Sequence, residues 1–475
     1  MNLCWFRQDL RLSDNPALRT AMRENSAVAV FILEETENQR QMGSACKAWL
    51  HKSLSNLKRD LEALNIPLIL KRGDAREVLP QLAKDLKVEN IYWNRRYDPK
   101  DVEVDRWIME RLNKDAKIAD SLKANLLFEP WEIKSAGAGT PYKVFSPFWK
   151  AALKENGPAQ SLPAPTKAQT MPDLGGVQSD QLSDWQLMPQ SPDWSVSFWK
   201  DWEPGEAGVR KRLDTFLEMN LQGYGAQRDV PSKSHTSLLS PHLRFGEISP
   251  RQVWHGVHAY AGGELTKDAH KFLAELGWRE FSHSILFYAD DLAQKNWKPN
   301  FDAFAWQSDS HAFKAWTKGQ TGYPLVDAGM RELWQTGCMH NRVRMVAASF
   351  LIKHLRIDWR DGEKWFWDTL VDACPANNPA SWQWVAGSGA DASPFFRIFN
   401  PIMQSQKFDA GGDYIRKWVP EISKLDDKSI HTPWDAPELV LKAADVRLGT
   451  TYPKPIVDHK AAREKALAAY KDLPN

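Results

Sequence analysis

The chain has 475 residues and a net charge of +2, which leaves room for two or three domains but supplies no global field to draw it onto nucleic acid; any such surface must be a local basic patch. Its four cysteines, at 4, 46, 338 and 374, form no CxxC pair and no zinc spacing, and no apolar run approaches the roughly 18 residues of a membrane span. With no basic-then-apolar leader, the chain is expected to be soluble, to stay in a reducing cytoplasm and to have no membrane partner.

Residues 1–130 alternate short apolar runs with amphipathic ones. Asn2–Phe6, Ala27–Leu33, Pro67–Lys71 and Asn90–Trp93 read as buried strands, and Ala45–Leu64, Asp74–Leu86 and Val102–Leu112 as helices. This alternation predicts an α/β domain with a parallel sheet and helices on both faces. It carries neither GxGxxG after its first strand nor a P-loop, so the ordinary nucleotide signatures are missing. Residues 131–205, broken by prolines and glycines from Gly137 to Pro192, read as a long connector with short structured pieces, and a connector of that length marks a domain boundary.

Residues 206–475 are predicted to be all-α. Val209–Asn220, Pro250–Tyr260, Ala269–Leu286, Asp327–Gly337 and Arg342–His354 each show helical periodicity. Within them, Gly223-Tyr224-Gly225 lacks the third glycine and the preceding strand of a dinucleotide loop. Thr236, Ser237 and Ser240 form a hydroxyl-rich turn that would either cap a helix or bind phosphate, capping being the plainer role. Glu275 and Arg279, four apart, are spaced for a surface ion pair. Asn341 and Met345 share one helix face and Arg344 the next, so one side of that helix can line a cavity while another holds an anion. The 23 tryptophans exceed what packing alone recruits, because a buried indole N–H wants a partner. Trp382 and Trp384, two apart, point about 200° away from each other on a helix, so two different surfaces want an indole.

Several ordered motifs carry a resemblance: WFRQDLRLSDNPAL near the start, then GYGAQRD, SHTSLLSPHLRFGEISPRQ, ELGWREF, TGYPLVDAGMREL, MHNRVRM, IDWR, NNPASWQW and FFRIFNP. Together they span nearly the whole chain, which resembles the photolyase/cryptochrome family and most of all its cyclobutane pyrimidine dimer photolyases. The resemblance implies a light-dependent, FAD-dependent lyase that acts on UV-damaged DNA as a monomer. Its helical domain binds FAD, active when reduced, and its first domain helps hold an antenna chromophore, either methenyltetrahydrofolate or 8-hydroxy-5-deazaflavin.

By the same resemblance, Tyr224, Thr236, Ser237, Leu238, Leu239 and Ser240 match contacts to the FAD diphosphate and ribityl chain. Phe272 lies near the adenine, and Arg279, Asn341, Arg344, Asp372, Cys374 and Asn378 near the flavin. Asn378 matches the residue facing flavin N5, where plant cryptochromes have aspartate. Glu275, Trp278, Asn341, Met345 and Trp384 match the lesion pocket, with Glu275 bonding a thymine edge and the two indoles stacking on the dimer. Histidines match Asn341 and Met345 in the (6-4) photolyases, so their absence here favours the cyclobutane lesion. Trp382, Trp359 and Trp306 match a chain of indoles from flavin to surface, and Arg228, Arg342, Arg397 and Gln404 match contacts to DNA phosphates.

There are departures. Cys338 stands where the family usually has a large aromatic, Cys374 where it often has an acid, and Phe272 where some relatives carry Trp. The loop Asn94–Pro99 differs from that of folate-binding relatives, which leaves the antenna open, including no antenna at all. A cryptochrome-like photoreceptor remains the rival; the short basic segment after Tyr452, in place of a long tail, counts against it.

Overall fold

The structure, a computed structural model, describes every residue except 25, 37–38, 115–117, 136, 138, 156, 290, 393–395 and 475. The elements of the first part run β1 (Asn2–Phe6), α1 (Pro16–Ala21), β2 (Ala27–Leu33), α2 (Ser44–Ala63), β3 (Leu68–Arg72), α3 (Ala75–Asp85), β4 (Asn90–Asn94), α4 (Pro99–Lys114) and β5 (Ile118–Leu122). Every residue of β1 and β2 is buried, as a strand covered on both faces requires. The sheet is parallel throughout in the order β3-β2-β1-β4-β5, and Trp5 lies level with Val30 on one side and Trp93 on the other.

Alternate residues face opposite ways. Trp5, Val30, Ile69 and Trp93 join Leu79 and Leu82 of α3 and Ile108 and Leu112 of α4 in one core. On the other face α1 packs on β1 and β4, its Ala17 N–H donating to Asn94 Oδ1 at 3.2 Å, and α2 packs on β3. Helices on both faces of a parallel sheet are therefore what the alternating pattern predicted.

Two elements of this part escaped that pattern. The α1 helix has six residues, too few to show a period, although Asn15 caps it by accepting the Leu18 N–H and Pro16 opens it. The β5 strand is an edge strand in which only Ala119 is buried, so no apolar run announces it.

After β5 the chain is mostly irregular to residue 205, with α5 (Phe145–Ala152) and two short 3₁₀ turns. Helices follow: α6 (Glu206–Met219), α7 (Tyr224–Gln227), α8 (Ser240–Phe245), α9 (Pro250–Ala261), α10 (Lys267–Tyr288), α11 (Ser310–Thr317), α12 (Pro324–Thr336), α13 (Asn341–Ser349), α14 (Trp359–Thr369), α15 (Asn377–Ala386), α16 (Pro401–Phe408), α17 (Asp413–Trp418), α18 (Glu438–Ala443) and α19 (His459–Lys471). Packing groups the chain into two units. One comprises Met1–Trp194, Trp199–Gln222 and Ser237–Asp290; the other Ser195–Phe198, Gly223–Thr236 and Asp291–Asn475.

The segment expected as one helix from Arg342 to His354 is α13 followed by a single π turn over Phe350–His354. That turn carries Lys353, which is 1% exposed. Its ammonium donates to the Arg397 carbonyl at 2.8 Å and sits 3.9 Å from the centre of the Phe396 ring. Burial, with Arg397 adding its charge, pushes this amine down to about 7.

An amine whose pKa falls on folding makes the folded chain hold fewer protons than the unfolded one between the two values. The site therefore costs stability in full below pH 7, and the cost fades as pH rises from about 7 towards the unfolded lysine value of about 10.4. Lys353→Met is expected to improve stability relative to the parent most at pH 6, and that advantage should shrink by on the order of 3 kcal/mol by pH 9.5. Urea denaturation at the two pH values checks this; a difference independent of pH would mean that Lys353 does not change protonation on folding.

Candidate functional site

In the second unit the site is built on α13, α14 and α15. The α13 helix starts at Asn341, with the His340 side chain accepting the Arg342 N–H as its cap. Asn341 is exposed in the first turn and Met345, one turn on, is half-buried. Arg344 turns to the adjacent face, as the spacing predicted. Its guanidinium donates to the Met339 carbonyl at 2.7 Å and to both oxygens of Asp372 at 3.2 and 3.0 Å, and lies 3.7 Å from Cys338 Sγ. Against the burial that would lower it, the Asp372 charge holds the Arg344 pKa above its ordinary value. Burial pushes the neighbouring Cys338 thiol up to about 12, so it is neutral at any physiological pH.

Asn378 is buried in the first turn of α15, its backbone N–H bonded to the Cys374 carbonyl at 3.1 Å. Its side-chain nitrogen donates twice to Glu363, to the backbone carbonyl at 3.1 Å and to Oε1 at 2.8 Å. The carboxamide therefore has a fixed orientation, and its carbonyl oxygen is the end that Glu363 does not use. Glu363, fully buried on α14, was missed in the sequence. The signal was there: at helical spacing between Trp359 and Phe366 it places an acid on an apolar stripe.

Trp382 and Trp384 diverge as the helical spacing requires. Trp382 is buried, with ring centroids 4.9 Å from Phe366 and 6.2 Å from Trp316. It also occupies the space over Gly362 of α14, one turn from Trp359. Trp384 is half-buried and donates its indole N–H to the Asp391 carbonyl at 3.1 Å. Trp359 is fully buried and donates to Asn296 Oδ1 at 3.0 Å, while Trp306 is half-buried against Phe304, 4.4 Å between centroids. The three indoles of the expected route thus run from buried to part-exposed positions.

Of the basic candidates in this unit, Arg228 lies over the ring of buried Tyr224 at 5.3 Å. Arg342 donates to Asp229 Oδ2 at 2.8 Å and lies 4.5 Å from the centre of the Phe408 ring. Arg397 is exposed, and Gln404 is half-buried on α16. Thr236, half-buried, ends this unit's share of the hydroxyl-rich turn.

The rest of that turn belongs to the first unit. Ser237 is half-buried and Leu238 takes a positive φ of 51°, a conformation that β-carbon sterics disfavour. The plainer role of capping does not fall to Ser240: it is the first residue inside α8, and the cap position belongs to buried Leu239, which has no acceptor. On α10, Phe272 packs on Phe216 with centroids 4.5 Å apart. Glu275 stands 3.8 Å from Lys271, one turn back. Trp278 stacks face to face on Phe145 at 3.7 Å between centroids. Arg279 donates to the Asn125 carbonyl at 2.9 Å and to Glu280 at 3.2 Å, which gives it protein partners where the resemblance implied a flavin.

Residues 2–168 match the DNA photolyase domain and residues 272–472 the FAD binding domain of DNA photolyase. A deoxyribodipyrimidine photo-lyase of Agrobacterium fabrum is 51% identical over 98% of this chain and 97% of its own length. The chain belongs to the photolyase/cryptochrome family. Cryptochrome-1 of Arabidopsis thaliana is another relative, 38% identical over 98% of this chain and 70% of that protein. The crystal structure of a bacterial class III photolyase from Agrobacterium tumefaciens matches with a TM-score of 0.95 at 50% identity, covering 99% of this chain and 97% of that one.

The cofactor of a photolyase-type FAD domain is FAD, and the residues here fit it. A half-buried cation with a carboxylate beside it, and an amide whose carbonyl oxygen Glu363 does not use, suit a ring system that carries both carbonyl acceptors and N–H donors. Arg344→Met would leave the Asp372 carboxylate, whose side chain is 5% exposed, without its cation. We expect a loss of about 3 kcal/mol in urea denaturation together with poorer flavin retention; unchanged stability would show that the pair contributes nothing to the fold.

Proposed function

We propose that this photolyase-family chain is a light-driven DNA lyase that opens the cyclobutane ring of pyrimidine dimers, working as a monomer in the cytoplasm. Bound FAD, fully reduced and excited by blue or near-UV light, would supply the electron that opens the ring and would take it back afterwards. Residues 206–475 would form the catalytic part and residues 1–130 the part that holds any antenna, joined through 131–205. That antenna would be methenyltetrahydrofolate or 8-hydroxy-5-deazaflavin.

The chain's own residues position, polarise and exclude water. Trp278 and Trp384 stack on the extruded dimer, and Asn341 and Met345 line its pocket. Extrusion is favoured at damage because a distorted base pair costs less to unstack. Glu275 accepts a hydrogen bond from the thymine edge, and a lesion lacking that edge would forgo this bond at a cost of about 1–3 kcal/mol. Arg228, Arg342, Arg397 and Gln404 bind phosphates, so affinity falls steeply with salt. Tyr224, Thr236, Ser237, Leu238, Leu239, Ser240 and Phe272 would hold the FAD outside its ring system, and Arg279, Asn341, Arg344, Asp372, Cys374 and Asn378 would lie near the flavin ring. Trp382, Trp359 and Trp306 would form the chain of indoles between the flavin and the surface.

The observation that carries this reading is the Asn378–Glu363 contact. It commits the amide nitrogen to Glu363 and leaves an acceptor for an N5–H, which a reduced flavin has and an oxidised one lacks. A photoreceptor that rests in the oxidised state has less use for such an acceptor. The kinship with a plant cryptochrome keeps that rival in view.

The test is to illuminate a dimer-containing oligonucleotide with pre-reduced protein and follow the recovery of thymine absorbance. Repair is expected with the parent; a coloured, reduced protein that repairs nothing would favour the photoreceptor. Glu275→Ala should lower the repair yield roughly 5- to 100-fold at unchanged flavin content, the equivalent of losing about 1–3 kcal/mol. Trp306→Phe should slow photoreduction of oxidised flavin but spare repair by the pre-reduced enzyme, and loss of both would contradict the electron route.

A further inference from the structure

The α5 helix, from the segment the sequence marked as a connector, places a run of near-parallel rings against α10. Trp149, Phe145 and Trp278 follow one another with successive planes tilted by only 12° and 10°. The Phe145 and Trp278 centroids are 3.7 Å apart, so a phenyl ring covers one face of the indole, and Phe281 stands edge-on to both at 6.0 Å. Trp149 can reach α10 because residue 277 is glycine: a β-carbon there would lie 2.6 Å from the indole ring. Phe145 and Trp149 are buried, whereas Trp278, at the end of the row, is only partly so.

We propose that Phe145 is a positioning residue for damaged DNA: by occupying one face of Trp278 it fixes the plane of that indole and leaves the opposite face to the pyrimidine dimer. The inference rests on the reading of Trp278 as a lesion-stacking residue. An indole at the end of a solvent-facing helix turn has several staggered rotamers open to it. A ring already stacked on one side removes most of them during folding, so the ordering cost does not fall on binding. An aliphatic side chain of similar bulk would fill the space without presenting a flat face, and the extra attraction of an aromatic pair would be lost.

The experiment measures affinity of the FAD-loaded protein, in the dark, for one duplex with a thymine dimer and for the same duplex undamaged. Phe145→Leu is expected to weaken binding of the dimer duplex by about 3- to 10-fold, the scale of one aromatic pair. Its binding of undamaged duplex and its flavin content should not change, and the near-UV circular dichroism of the stacked rings should fall. Phe145→Tyr, which keeps the flat face, should restore both the affinity and the spectrum. If Phe145→Leu fails to fold, Phe145→Met supplies bulk without a flat face and must show the same selective loss. Trp278→Ala separates the two readings. Loss of dimer affinity in Trp278→Ala but not in Phe145→Leu would reduce Phe145 to packing and overturn the proposal. Full dimer affinity in both would overturn the role of Trp278 as well.

Discussion

The close approach of α14 to α15 is the constraint on which the candidate flavin environment depends. Residue 362 has no side chain because the Trp382 ring lies where one would be, with a β-carbon only 2.3 Å from it. Bringing the helices that near sets three things at once. Trp382 is pressed onto the helix that begins with Trp359, Glu363 comes within reach of Asn378, and the amide of Asn378 acquires a single orientation. A larger residue at 362 would pry the helices apart, and the change would reach both the indole route and the amide, since core packing transmits strain rather than absorbing it.

Charge is arranged in a complementary way. The near-neutral chain keeps its interior cations paired or capped by carbonyls: Arg344 by Asp372 and Met339, Arg279 by Glu280 and Asn125, Lys353 by the Arg397 carbonyl. In the α/β unit Arg7 and Arg96 converge on Asp105, and Arg7 also lies 4.0 Å from the centre of the Trp5 ring. Pairs of this kind add little net stability against an apolar alternative, but each is costly to break singly.

What the sequence made legible follows from length and periodicity. The β1 and β2 strands are continuous apolar runs and were readable as buried strands, whereas α1 is too short for a period and β5 is an edge strand with little to bury. The divergence of Trp382 and Trp384 followed from helix geometry alone. Glu363 was not read because an acid on an apolar stripe looks like an exception until its partner, fifteen residues away, is in place. Phe145 was hidden for a different reason: it lies in a segment judged by its prolines and glycines, and its stacking on Trp278 joins residues far apart in the chain. The hydroxyl-rich turn offered two chemistries, and only the backbone could show that Ser240 lies one place too far along to cap α8.

None of the four cysteines forms a disulfide; Cys4, Cys46 and Cys374 are buried, and burial holds the Cys338 thiol neutral. Thiol reagents act on accessible thiolates, so the folded protein offers them little. A cysteine introduced on the surface would therefore stand out against a quiet background, and a dye or spin label could be attached at a chosen position without first removing the native sulfur atoms.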